Sequence, residues 1–164
     1  MDEDINQKLY DAARVGHYDK VSALISRGAS PQWTDSGGDS ALHEAARNGH
    51  VPVARLLLDN GWQLDLADGT GWTPLHRAAF MGEVTMLQFL AARGAKINTQ
   101  DINKETPLHD AAEEGQQAAV RLLLGLGADR SLKNDEDKTA EQLCKNEETR
   151  AVFTEIPDQG METD

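Results

Sequence analysis

The side chains in this sequence best suited to chemistry are its five histidines and its single cysteine, Cys144. Histidine and cysteine bind zinc, or act together as base and nucleophile, when their side chains converge on one point. His43, His76 and His109 are spaced 33 residues apart, and no Cys-x-x-Cys or His-x-x-x-His pair is present. Whether these residues do chemistry therefore depends on the elements that position them.

The 33-residue spacing extends from the histidines to most of the chain. Segment 40–43 aligns with the Thr-Pro-Leu-His segments at 73–76 and 106–109. In the same register recur an alanine pair (12–13, 45–46, 78–79, 111–112), a glycine (16, 49, 82, 115), an apolar pair (24–25, 57–58, 90–91, 123–124) and a second glycine (28, 61, 94, 127). Self-similarity at a period of roughly 20 to 50 residues is typical of repeat proteins.

Each unit of the pattern predicts two helices. In the unit that contains His76, Thr73 is a good N-cap residue and Pro74 suits the first helical position. Gly82 ends this helix in the left-handed conformation, which carries no steric penalty for glycine. A second, amphipathic helix is predicted over residues 84–93, and Gly94 ends it.

The segment from 97 to 105 joins one unit to the next. It contains the turn residues Asp101 and Asn103, which predict a hairpin-like loop. Each unit is therefore a loop, a helix, a loop and a second helix. Because a unit of this size cannot bury its apolar face alone, the units must stack on one another.

The 33-residue period with the motif Thr-Pro-Leu-His-x-Ala-Ala resembles the ankyrin repeat over about residues 5–153. This resemblance implies an all-α solenoid with hairpin loops, built from an N-terminal cap, three full repeats and a C-terminal cap. The five units are predicted at about 5–34, 35–67, 68–100, 101–133 and 134–153 of a single domain. Residues 1–4 are predicted to be an N-terminal tail and residues 154–164 a disordered acidic tail.

The two terminal units depart from the motif. The first has Gln7-Lys8-Leu9-Tyr10 in place of Thr-Pro-Leu-His, and the last has Cys144-Lys145 in place of the alanine pair. Terminal repeats need a polar outer face, so both units are interpreted as caps.

Stacking excludes shared chemistry among the histidines. Neighbouring units lie roughly 10 Å apart, about one helix diameter, whereas the ligands of a zinc ion lie within about 2 Å of it. We therefore expect His43, His76 and His109 to make hydrogen bonds that tie each loop to its helix start. Cys144, at an alanine-pair position, should be buried and inert. The sequence predicts no enzyme activity, no metal and no cofactor.

Charge and cysteine content limit the partners and the compartment. The formal net charge is −12, and residues 101–164 carry 16 acids and 7 bases. Such a surface should repel nucleic acid and anionic membranes and attract basic partners, although acidity that merely aids solubility is an open alternative. The single cysteine and an acidic N-terminus without an apolar signal segment predict an intracellular protein, cytoplasmic and/or nuclear, and a monomer.

The resemblance implies that a protein or peptide partner docks on the hairpin tips and the exposed side of each first helix, on the concave face of the stack. Large apolar side chains at these positions in the unit 68–100, with acids in the next unit, predict a groove for a segment with apolar and basic residues. The candidate residues are Trp33, Asp39, Arg47, Trp72, Arg77, Phe80, Met81, Ile102, Glu105, Asp110, Glu113 and Glu114.

Other interpretations remain open at this level. Phe80 could instead pack under Trp72 and close the stack, and the same face could serve a regulatory subunit of an enzyme or transcription complex. Trp33, Trp72 and Asp39 could form an aromatic pocket for a methylated lysine of a histone tail, as in some ankyrin domains. Asn98 resembles asparagines that are hydroxylated in some ankyrin domains, although a hairpin hydrogen bond explains it as well.

Overall fold

The computed structural model describes residues 4–157, and within them the chain forms ten helices and no strand. The helices are α1 (Ile5–Val15), α2 (Tyr18–Ser26), α3 (Ala41–Arg47), α4 (Val51–Asp59), α5 (Pro74–Met81), α6 (Val84–Ala92), α7 (Pro107–Glu113), α8 (Gln117–Gly125), α9 (Ala140–Leu143) and α10 (Glu147–Glu155). Each of the first four predicted units contains one consecutive pair of these helices, and the fifth contains α9 and most of α10. The predicted all-α repeat solenoid is confirmed.

The first helix of each unit starts and stops where its sequence indicates. Thr73 is the N-cap of α5, and its backbone N–H donates to Nδ1 of His76 (3.1 Å), so that the first turn is closed by a capping box. At the other end, Gly82 has a φ of +74° and its N–H bonds back to the last turn. The helix is therefore only eight residues long.

Alanine pairs allow the first helices to stack closely. Helices α1, α3, α5, α7 and α9 pack on one another in order, and the second helices α2, α4, α6, α8 and α10 form a parallel layer. Ala78 and Ala79 of α5 have no exposed surface, like Ala45 and Ala46 of α3. Several leucines of the second helices, such as Leu57 and Leu90, are also buried. The core therefore runs along the whole stack.

A side-chain turn builds each hairpin. Oδ1 of Asp101 accepts the backbone N–H groups of Asn103 and Glu105, both at 2.8 Å. At the tip, the backbone N–H of Ile102 donates to the carbonyl of Thr70 in the preceding hairpin (3.1 Å). Gly71 is required beside this contact, because its φ is +86° and a Cβ atom there would lie 2.9 Å from the backbone of residues 101 and 102.

The end of the described chain corrects one predicted boundary. The disordered tail was expected from residue 154, but α10 continues through Glu155. The reason is that Arg130 donates to the carbonyls of Phe153 and Ile156 and so satisfies the end of the helix. The predicted tail beyond residue 157 and residues 1–3 lie outside the described residues. Within residues 4–157 no helix has the length and apolar character needed to cross a membrane.

Candidate partner-binding surface

Four predicted residues of the unit 68–100, among them Arg77, form a shallow pocket together with Arg47. The pocket has a volume of about 250 Å³, and the others that line it are Trp72, Phe80 and Met81. Phe80 and Met81 are 36% and 42% exposed. We call these five residues the apolar pocket.

Trp72 is held rigidly at the back of this pocket. Its indole N–H donates to Oδ2 of Asp101 in the next hairpin (3.0 Å). The ring of Phe80 lies against it, with centroids 5.4 Å apart. Phe80 therefore packs on Trp72, as one of the two interpretations expected, and still presents a third of its surface to solvent; a role of these residues in binding stays a prediction.

Arg77 is the cation at the centre of the surface. One of its terminal nitrogens donates to Asp39 and to Asp68, each at 2.8 Å, and its guanidinium lies 4.9 Å from the Trp72 ring centroid. Burial alone would raise the pKa of Asp68, but hydrogen bonds from Thr70 and Trp72 and the charge of Arg77 lower it. Asp39 and Arg77 are thus fixed to each other in the wall of the pocket.

The three buried histidines link neighbouring units. All three rings are buried, and Nε2 of His43, His76 and His109 bonds to the carbonyl of Trp72, Glu105 and Lys138, respectively, at 3.0 to 3.2 Å. Burial lowers the pKa of each ring, which favours the neutral form. The expected loop-to-helix hydrogen bonds are present, and each ring also ties its helix to the next hairpin.

The acidic side chains of the unit 101–133 lie on the C-terminal side of the pocket. Glu105 is partly buried and accepts a hydrogen bond from Asn134 (3.1 Å). Glu113 pairs with Lys145 (3.2 Å), while Glu114 is exposed at the end of α7. These acids are accessible, as the sequence predicted.

Asp110 does not lie on the exposed side of its helix as predicted. Only 4% of it is exposed, and its Oδ2 atom has no hydrogen-bond partner. The position lies at the seam where α7 packs between α5 and α9, and the equivalent Glu44 of α3 is buried in the same way. Burial, with the charges of Glu105, Asp101 and Glu113 added, raises the pKa of Asp110 to about 9.

The remaining predicted positions lie at either end of this region. Ile102 is 67% exposed at its hairpin tip, and Arg47 is exposed at the end of α3. Trp33 is partly buried and makes an edge contact with the ring of Tyr10 (5.8 Å). Because Arg77 already occupies the cation position over Trp72, the proposed methyl-lysine pocket between Trp33 and Trp72 has no support from these contacts.

Asn98 lies outside the surface and has a structural hydrogen bond. Its Oδ1 atom accepts the backbone N–H of Asp129 (2.8 Å), one unit further on. Asp65 makes the equivalent bond to Lys96 (3.1 Å). Asn98 is exposed, and its hydroxylation stays a prediction.

Sequence reasoning missed the carboxylates that hold the surface together. Asp68 and Asp101 are both 8% exposed, and they fix Arg77 and Trp72. A signal was available, because an Asp or Asn recurs every 33 residues at 35, 68, 101 and 134. Within residues 4–157, no group of three or more His, Cys, Asp or Glu side chains is arranged to hold a metal ion.

Comparison with known families agrees with this architecture. A family model described as ankyrin repeats (3 copies) matches residues 9–101, and a model of the single ankyrin repeat matches residues 103–135. A search of curated proteins found no significant match.

Proposed function

We propose, from the premise that this chain belongs to the ankyrin repeat family, that it captures an extended segment of a partner protein. Ankyrin repeats generally mediate protein–protein interaction, and the family is typically non-catalytic. The bound segment carries an apolar side chain next to lysine or arginine. The chain would thus act as an intracellular adaptor or inhibitor.

The observation that carries this proposal is that the apolar pocket and a group of acidic side chains lie next to each other on one face. Phe80 and Met81 stay exposed beside the rigid Trp72, and an apolar side chain of the partner would bury them further. A rigid aromatic residue is a good anchor because little conformational entropy is lost when a partner binds it.

The acids on one side of the pocket favour a basic segment. Glu105, Glu113 and Glu114 follow the apolar pocket in the next unit, and the chain as a whole carries a net charge of −12. A field of this sign speeds the approach of positively charged partners and disfavours nucleic acid. Arg47 and Arg77, at the opposite side, give the bound segment a direction along the stack.

A display library of random twelve-residue peptides tests the proposal. Selection on the wild-type chain should enrich peptides that combine a large apolar residue with lysine or arginine. Their affinity, measured by calorimetry, should fall at least about tenfold for the double variant Phe80→Ser with Met81→Ser, because the variant loses the apolar anchor site. Both residues are exposed, so the variant should fold.

Leu126→Ser supplies the matched control. Leu126 is 41% exposed, like Met81, but it lies at the end of α8 in the other layer of helices. This variant should bind the selected peptides within about twofold of wild type. Enriched peptides that lack basic residues, or that bind the Phe80 and Met81 variant unchanged, would refute the proposal.

A further inference from the structure

In the three full repeats, the seam between the first helices carries one ionisable residue per unit. The residue between the histidine and the alanine pair of the motif is Glu44 in α3, Arg77 in α5 and Asp110 in α7. Glu44 lies 3.9 Å from Arg47, and Arg77 has two carboxylate partners at 2.8 Å. Nε of Arg77 and Oδ2 of Asp110 are both buried without a hydrogen-bond partner, but among the described residues Asp110 also lacks the ion pairs that Arg77 makes. A buried carboxyl group without a hydrogen bond is costly and points to a missing ligand.

The surroundings of Asp110 contain acids but no available base. The charges of Glu105, Asp101 and Glu113 all disfavour its ionised form, and only Arg77 opposes them. Arg77 is already bound to Asp39 and Asp68. On the other side, Lys145 pairs with Glu113 and Lys138 pairs with Glu136. The cluster therefore has an excess of negative charge at the centre of a partly covered surface.

The cluster is also continuous with the apolar pocket. Asp101, whose charge acts on Asp110, accepts the indole N–H of Trp72. Glu105 and Glu113 are partly exposed, so a side chain from solvent can reach them first. The absence of a metal-binding arrangement among residues 4–157 favours an organic cation over a metal ion.

We propose that Asp110, Glu105 and Glu113 form a subsite for one basic side chain, lysine or arginine, of the segment whose apolar residue occupies the apolar pocket. This inference rests on the proposed function. The cation first meets Glu105 and Glu113 and offsets their repulsion, so Asp110 gives up its proton and becomes the third negative group around the cation. Binding of the segment is thereby coupled to the release of one proton from Asp110 to solvent.

The direction of the pH dependence follows from this coupling. Because the pKa of Asp110 is about 9 in the free protein, the free protein carries a proton there at pH 7. Binding that requires its loss becomes tighter as the pH rises, by about tenfold per pH unit between the pKa of the complex and about 9. A subsite of permanently ionised carboxylates would show no such dependence over this range.

The probe for the test is a panel of capped Gly/Ser decapeptides that carry one leucine and one arginine, one to five residues apart. A matched panel has citrulline, the neutral isostere, in place of arginine. Titration of the full chain, followed by NMR of the side-chain carboxyl carbons, gives both the affinity and the pKa of Asp110. We expect the best arginine peptide to bind at least about tenfold more tightly than its citrulline match at pH 7. We also expect it to lower the pKa of Asp110.

Two variants separate the subsite from general electrostatics. Asp110→Asn should reduce the preference for arginine to less than about threefold and abolish the rise in affinity with pH, since it has no proton to release. Glu148→Gln removes a charge from an exposed position on α10 and should retain both effects. Equal binding of arginine and citrulline peptides, an unchanged Asp110 pKa at saturation, or no binding at millimolar peptide overturns the subsite.

The failure of the proposed function has a different signature. If arginine and citrulline peptides bind equally, and both lose affinity when Phe80 and Met81 are replaced by serine, only the subsite is wrong. If arginine peptides bind and perturb Asp110 but ignore those two substitutions, the apolar pocket is not the docking surface.

Discussion

The units 68–100 and 101–133 have the same backbone and opposite surfaces. Their hairpins are built on Asp68 and Asp101, and each first helix is closed by a Thr–His pair whose ring bonds to the following hairpin. At equivalent positions, however, Trp72, Arg77, Phe80 and Met81 of the first unit correspond to Glu105, Asp110, Glu113 and Glu114 of the second. An apolar, cationic surface is thus followed by an acidic one.

The comparison separates what holds a unit in the stack from what a unit offers to a partner. The shared residues are buried and hydrogen-bonded, and the differing ones lie at the surface or the seam. Arg77 and Asp110, which occupy the same seam position, show this most clearly. Arg77 is paired with two carboxylates, whereas the buried Oδ2 atom of Asp110 has no hydrogen-bond partner among the described residues. The common framework and the differing surface can be tested independently.

The largest expected effect is on the stability that the buried histidines give to both units. His76→Ala and His109→Ala should each lower the free energy of unfolding by about 3 kcal/mol, because a buried N–H and a buried carbonyl lose their partner and a cavity remains. Urea denaturation followed by circular dichroism measures the loss. If the two units share one framework, the two losses should agree within about 1 kcal/mol.

His17→Ala is the control for these histidine substitutions. His17 is exposed at the start of α2 and makes no side-chain cap, so its replacement should change stability by less than about 0.5 kcal/mol. A loss confined to either His76 or His109 would show that the two units are held together differently.

The next effect concerns Arg77, the one cation among the three seam residues Glu44, Arg77 and Asp110. Arg77→Met keeps an unbranched apolar stem but removes the guanidinium, and so leaves Asp68, whose side chain is 2% exposed, without its counter-charge. We expect a loss of about 2 kcal/mol in urea denaturation, less than for a fully buried pair because 22% of the Arg77 side chain is exposed.

Arg55→Met tests whether stacking on an aromatic ring explains that loss. Arg55 lies at the same 4.9 Å from the ring of Phe89, but it is exposed on the second-helix layer. Its replacement should cost less than about 1 kcal/mol. Equal losses for Arg55 and Arg77 would mean that the contact with Trp72, rather than the two carboxylates, accounts for the effect.

The fold could be predicted because its determinants repeat. Thr73, Pro74, His76 and Gly82 recur at the same spacing in other units, and each has a local reason for its place in the helix or turn. The exposed Phe80 and Met81 were also predictable, because register alone places them at the end of a short first helix.

The burial of Asp110 and the fixing of Trp72 could not be predicted in the same way. Both depend on contacts between units, namely the packing of α7 against α5 and α9 and the bond from Trp72 to Asp101. A repeat register gives the position of a residue on its helix, but not which side chain from the next unit covers it. Residues 33 positions apart lie next to each other in the stack, and from that rule alone the sequence indicates that Asp68 and Asp101 can contact the neighbouring units.

The final prediction concerns the ionisation of Asp110, for which the unit 68–100 has no counterpart. An aspartate in an unfolded chain titrates near pH 4, whereas burial and nearby acids raise the pKa of Asp110 to about 9 in the folded protein. Between these values the folded state holds a proton that the unfolded state has lost. The free energy of unfolding should therefore fall as the pH rises, by up to about 1.4 kcal/mol per pH unit, and level off above about pH 9.

Asp110→Asn removes this titration, so between pH 7 and pH 8 wild type should lose up to about 1.4 kcal/mol relative to the variant in urea denaturation. This window also avoids the buried histidines, whose lowered pKa values make stability fall only as the pH drops below about 6.5. Glu114→Gln, at the exposed end of the same helix, should follow the wild-type curve. Parallel curves for wild type and Asp110→Asn would mean that Asp110 is already ionised in the folded chain, with no proton for a basic side chain to displace.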